Sequence, residues 1–213
     1  MRFKATDELI HALAQGLEPV RVLRSPITRA SGWLTAVLLI LGVFIWWRAD
    51  LWAFAARYSE PRMLLQSAAT VLTGISAVVA AFHLSVPARS AIWRYFPLPF
   101  LALWLVTSGL GCLKYGVGLG PAGYRLGFSL HCFVFIVTVS VPLLAFLYMM
   151  LRRARPLEPI PVSLTAALGV AAFAAFTLQF FHPFDITWVD LSVHLAAVVA
   201  MIGLATIFRA TLR

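Results

Sequence analysis

Six long apolar runs set the limits on what this chain can become. They lie at about 31–47, 63–86, 95–113, 127–151, 162–181 and 188–208. Each comes near the roughly 17–25 residues that a helix needs to cross the hydrocarbon core of a bilayer. Lipid offers no partner to a backbone N–H or C=O, so a crossing segment is either a helix or a strand of a closed barrel. Barrel strands alternate apolar and polar residues, and these runs do not. The expected fold is all-α, an integral membrane bundle of six transmembrane helices. Composition agrees. Hydrophobic residues make up 62% of the chain and charged residues 12%, about half the charged share of an average soluble domain. That leaves too few polar groups to cover a water-exposed surface.

The basic residues give the orientation. Arg2, Lys4, Arg21, Arg24, Arg29, Arg89, Arg94, Arg152, Arg153, Arg155, Arg209 and Arg213 fall on one side of the expected membrane. Arg48, Arg57, Arg62, Lys114 and Arg125 fall on the other. Positive charge is retained in the cytoplasm, so both termini are expected there. Arg152-Arg153-Ala154-Arg155 is the clearest cytoplasmic basic anchor. The formal charge of +9 is also compatible with nucleic acid. There is no Lys/Arg block and no basic stripe with interleaved aromatics, so no direct nucleic-acid binding is expected. No cleavable signal peptide is expected either. The first apolar run starts late and ends in Trp46, Trp47 and Arg48, an interface anchor rather than a small-residue cleavage site.

Residues 1–30 form a cytoplasmic segment ahead of a transmembrane domain at 31–213. Thr6 is placed to cap a helix, with Asp7 and Glu8 in its first turn. Leu9, Ile10, Leu13 and Leu17 then line one face, and Gly16 and Pro19 lie near the end. A helix of this length is marginal alone in water and needs a surface for its apolar face. That surface is the membrane interface, the bundle itself, or a cytoplasmic partner gripped through helical spacing.

Chemistry-bearing residues gather toward the outer side. Cys112 closes the third span. His131 and Cys132 open the fourth. His182 and Asp185 lie in the fifth loop, and Asp190 and His194 share a face of the sixth helix. Ionisable groups inside membrane helices are candidates for function. The bland reading stands beside this one: cysteines as small hydrophobes, and His and Asp pairing with each other and with water. Cys and His are the right types for a metal, but there is no CxxC and no HxxxH. There is also no Walker loop, GxGxxG, GxSxG or HExxH. No catalytic role and no resident cofactor are expected.

With TDELIHALAQGLEPVRVLRSP at the start, GLGCLKYG around Cys112, HCF around Cys132, and HPFD and DLSVH near the end, the chain resembles the NrsF-type membrane anti-sigma factors. The resemblance spans essentially the whole chain. It implies an inner-membrane protein that holds an extracytoplasmic-function sigma factor of the SigF kind inactive. It also implies release on a metal or oxidative signal. The family's two membrane-region cysteines, tied to sensing, correspond here to Cys112 and Cys132, with transient heavy-metal binding at that pair as one form of the signal. The sigma factor would then meet the tail, through Asp7, Leu9, Ile10, Leu13 and Leu17, together with the inner loops. A small membrane redox protein holding heme or metal through its His and Cys groups is the reading from another class. A small transporter is a third.

Overall fold

The computed structural model describes residues 2–15, 22–57, 61–115, 126–181 and 188–212. Among them there are helices and short turns and no strand. In chain order the α-helices are α1 (Arg2–Gln15), α2 (Pro26–Arg48), α3 (Leu51–Arg57), α4 (Pro61–Leu84), α5 (Leu98–Tyr115), α6 (Leu126–Leu151), α7 (Pro159–Leu178) and α8 (Trp188–Ile207). Short 3-10 helices lie at Ala91–Tyr95, Arg152–Ala154 and Phe208–Leu212.

Five stretches are long and apolar enough to cross a membrane: Pro26–Arg48, Pro61–Leu84, Leu130–Ala154, Pro159–Leu178 and Leu191–Ala210. The chain is thus a multi-pass membrane protein. α5, with 18 residues, occupies the place of the remaining expected span and is not among those five.

α1 and α2 start well before the positions the sequence predicts. α2 begins at Pro26 because Ser25 caps it. The Ser25 hydroxyl accepts from the Thr28 N–H at 3.2 Å, and proline suits the first helical position because its missing N–H is an orphan there anyway. α1 begins at Arg2, so Thr6 lies inside the helix instead of capping it. Asp7 and Glu8 then fall after the first turn. Residues 2–5 contain no Gly or Pro to stop the helix from extending backward.

α4 and α7 are the centre of the bundle and share its most extensive helix contact. Small residues allow it. A Cβ placed on Gly169 would stand 2.8 Å from Val78 Cγ2, and one placed on Gly74 would stand 3.0 Å from the Phe173 ring. Ala77, Ala80 and Ala81 of α4 and Ala166, Ala167 and Ala174 of α7 are also buried. Lipid removes most of the hydrophobic drive between helices, so close van der Waals packing must hold them. Ser67 of α4 donates to the Gln179 side chain just past α7, whereas the other buried hydroxyls of α4 are satisfied within the helix. Thr70 donates to the Gln66 carbonyl at 2.7 Å and Thr73 to the Ala69 carbonyl at 2.7 Å.

The other helices wrap this pair. α6 and α8 pack on α7 and on each other, α2 packs on α4, and α5 packs on α4. Trp33 of α2 is fully buried, with its ring 6.3 Å from Phe146 and 6.0 Å from Phe173. Pro142 lies inside α6, which continues on both sides of it.

Gly169→Leu should therefore destabilise the protein by about 1–3 kcal/mol, the usual cost of overpacking. Gly42 has open space around its Cβ position, and Gly42→Leu should leave stability nearly unchanged. Thermal unfolding in detergent compares the two.

Candidate functional site

The start of α2 meets the ends of α4 and α6 at one end of the bundle. Arg29 stands at this junction, only 7% exposed. Its Nη2 donates to the Met150 carbonyl, which belongs to the last turn of α6, where helix carbonyls lack intrahelical partners. The guanidinium carbon lies 5.0 Å from the centre of the Phe82 ring of α4, close enough for a cation–π attraction. Nη1 is buried with no hydrogen-bond partner. One side chain thus joins α2, α4 and α6. Sequence reasoning had set Arg29 in the cytoplasmic tail, because it started the helix near residue 31. Ser25-Pro26, a cap followed by a first-position proline, was the signal that would have moved it inside.

Arg152, Arg153 and Arg155 follow directly and are exposed. Arg155 adopts a left-handed conformation, φ 45°, which turns the chain out of the short 3-10 helix toward α7. Tyr148, one turn back, donates its hydroxyl to the Ala205 carbonyl of α8 at 2.8 Å. Leu212 is buried in the same core cluster as Leu151 and Val162. The ends of α6 and α8 and the start of α7 are thereby locked together beneath a basic rim.

His83 closes α4 at this same end. It is buried, and neither ring nitrogen has a hydrogen-bond partner. Its ring lies on Trp93, 3.8 Å between centroids and 13° from parallel. Trp93 comes from the 3-10 helix that Ser90 caps through the Ile92 N–H. His83 therefore anchors the loop leading to α5.

The cysteine region lies at the opposite end. Cys132, in the second turn of α6, is buried. It packs with Ile136 and with Ala174 and Leu178 of α7 and Ala197 of α8. His131, next in sequence, is exposed. His194 is half-buried on α8. Cys112 lies toward the end of α5 and Asp190 in the first turn of α8, but their side chains are outside the described residues. His182 and Asp185 are outside them entirely. Among the described residues no three His, Cys, Asp or Glu side chains come together.

The tail supplies the third feature. Every described side chain of α1 from Thr6 to Gln15, Asp7 included, is exposed. Leu9, Ile10 and Leu13 are 58%, 57% and 64% exposed. Leu17 lies outside the described residues. Of the surfaces open to this helix, its own bundle does not cover the apolar face.

The family described as NrsF, negative regulator of sigma F, matches residues 13–212. The chain belongs to the NrsF family. Negative regulation of a sigma factor is what that family does, and a sigma factor is the partner it implies. The match takes in the whole bundle and enters α1 only at Leu13. No curated protein and no solved structure matches the chain.

Two measurements check this geometry. Arg29→Ala should lower the unfolding midpoint in detergent, by about 1–3 kcal/mol of stability for losing a buried donor. Arg24→Ala, at an exposed position, should not. In a Cys112→Ser background, Cys132 should react with maleimide much more slowly in the folded protein than in denaturing detergent. Equal rates would mean that its packing against α7 and α8 is wrong.

Proposed function

We propose that this NrsF protein is an anti-sigma factor of the bacterial inner membrane. It holds an extracytoplasmic-function sigma factor inactive beneath a bundle of six transmembrane helices with both termini in the cytoplasm. It releases that factor on a metal or oxidative signal received near the outer face at Cys112 and Cys132. The family match over residues 13–212 is the observation that carries the reading. The concentration of Lys and Arg at one end supports the orientation. The exposed apolar face of α1 supports a docking role for the tail, since such a face is stable in water only when something covers it.

The sigma factor lies against α1 and the rim formed by Arg152, Arg153 and Arg155. This blocks the surface it needs for polymerase. On the outer side, oxidation or metal capture draws Cys132 toward Cys112. A disulfide requires Cα atoms about 4.4–6.8 Å apart. Cys132 is wedged among Ala174, Leu178 and Ala197, so any change in its bonding displaces α6 against α7 and α8. α6 carries that displacement to its far end, where Met150 receives the Arg29 hydrogen bond and the basic rim begins.

The test is a pull-down from detergent extract. Intact protein, a variant lacking residues 1–15, and a Cys112→Ser, Cys132→Ser variant are compared before and after metal or peroxide. The intact protein should bring down a sigma factor and lose it on treatment. The truncated protein should retain little, and the double serine variant should bind but not release. Absence of any sigma factor from the intact sample would overturn the reading. Normal release by the double variant would remove the cysteines from it.

A further inference from the structure

A groove of about 330 Å³ runs along the seam between α6 and α8 and ends at the basic rim. Val141, Leu144, Ala145, Tyr148 and Met149 line it from α6, and Leu204 and Phe208 from the α8 side. Arg152 is the remaining lining residue, and it stands at one end. Leu144 and Tyr148 are buried and form the floor, whereas Val141, Met149 and Phe208 are exposed and form the rims. The Tyr148 hydroxyl is already committed to the Ala205 carbonyl. Apart from that hydroxyl the floor is apolar, and a cavity without two to four polar partners is not a water site.

Length and charge specify the occupant. From Val141 to Arg152 the helix rises about 16 Å at 1.5 Å per residue. That is about half of the roughly 30 Å hydrocarbon core, the depth of one leaflet. The apolar part thus matches a single acyl chain, and the guanidinium sits where the headgroup begins. Among the described residues no carboxylate pairs with Arg152. Arg153 follows it, and the 3-10 helix Phe208–Leu212, which carries Arg209, touches the one that carries Arg152. Basic pockets between helices on the cytoplasmic side favour anionic headgroups.

We propose that the α6–α8 groove is a binding site for an anionic phospholipid, with one acyl chain along Leu144, Tyr148 and Leu204 and the phosphate on Arg152. The site rests on the membrane reading above but not on the sigma-factor role. Bound lipid bridges the ends of α6 and α8 at the basic rim, so the composition of the inner leaflet adjusts the stiffness of that rim.

Native mass spectrometry of the detergent-purified full chain tests this. Phosphatidylglycerol and phosphatidylcholine of identical acyl chains are titrated in separate samples. The wild type should retain one phosphatidylglycerol in preference to phosphatidylcholine, and excess glycerol phosphate should not displace it. Arg152→Gln should lower retention of phosphatidylglycerol about fivefold, as expected for one basic residue at a headgroup, and bring it to the phosphatidylcholine level. Ala145→Trp, which fills the groove, should abolish retention of both. Arg94→Gln, on an exposed residue elsewhere, should change nothing. Equal retention of the two lipids by wild type, or an equal loss in Arg94→Gln, refutes the site while leaving the membrane reading intact. Protein that stays soluble after detergent removal refutes the membrane reading and the site with it.

Discussion

The approach of α4 to α7 is the constraint on which the rest depends. Two glycines and a run of alanines bring these helices closer than any larger side chain allows, since Gly169 has Val78 within 2.8 Å of where a Cβ would sit. α2, α5, α6 and α8 are each placed by packing on one of this pair. Close approach also explains why α4 tolerates buried Gln66, Ser67, Thr70, Thr73 and Ser76. The hydroxyls of Thr70, Thr73 and Ser76 fold back on their own helix, and Ser67 reaches across to Gln179 at the end of α7. Hydrogen bonds between membrane helices are individually modest, so contact area along this seam is the larger stabilising quantity.

Arg29 gives the bundle a polar junction at one end. A guanidinium is among the more expensive groups to place in a membrane, and it persists there only with partners. Phe82 and the Met150 carbonyl provide them on two different helices. The orphan carbonyls at the end of α6 would otherwise face a dry interface, so the hydrogen bond answers a need on both sides. α6 thereby becomes the element that links the two ends of the molecule. Cys132 lies near its start, Arg29 holds its last turn, and the basic rim follows.

Much of this was legible in sequence, and the exceptions have physical causes. Apolar run length located α2, α4, α6, α7 and α8, because lipid imposes a single period and a minimum length. Helix starts were less legible. Capping is local chemistry that a hydropathy window averages away, so Ser25-Pro26 went unread and Arg29 was placed outside. The exposed tail helix was visible in the spacing of Leu9, Ile10 and Leu13, although Arg2 rather than Thr6 begins it. Burial of Cys132 against α7 and α8 was not legible, since spacing places a residue on a face but does not say which helix that face meets. The α6–α8 groove is invisible for the same reason. Its lining comes from segments about 60 residues apart in sequence, joined by the packing of α6 and α8 on each other and on α7.

The central claim is that this NrsF protein withholds a sigma factor by tying it to the membrane. Fractionation of cells with and without the protein measures that directly, by locating the sigma factor in membrane or soluble fractions. The factor should be in the membrane fraction when the protein is present and unstressed. It should be soluble when the protein is absent or after metal or peroxide exposure. A sigma factor distributed identically in both cell types, with or without stress, would contradict the account.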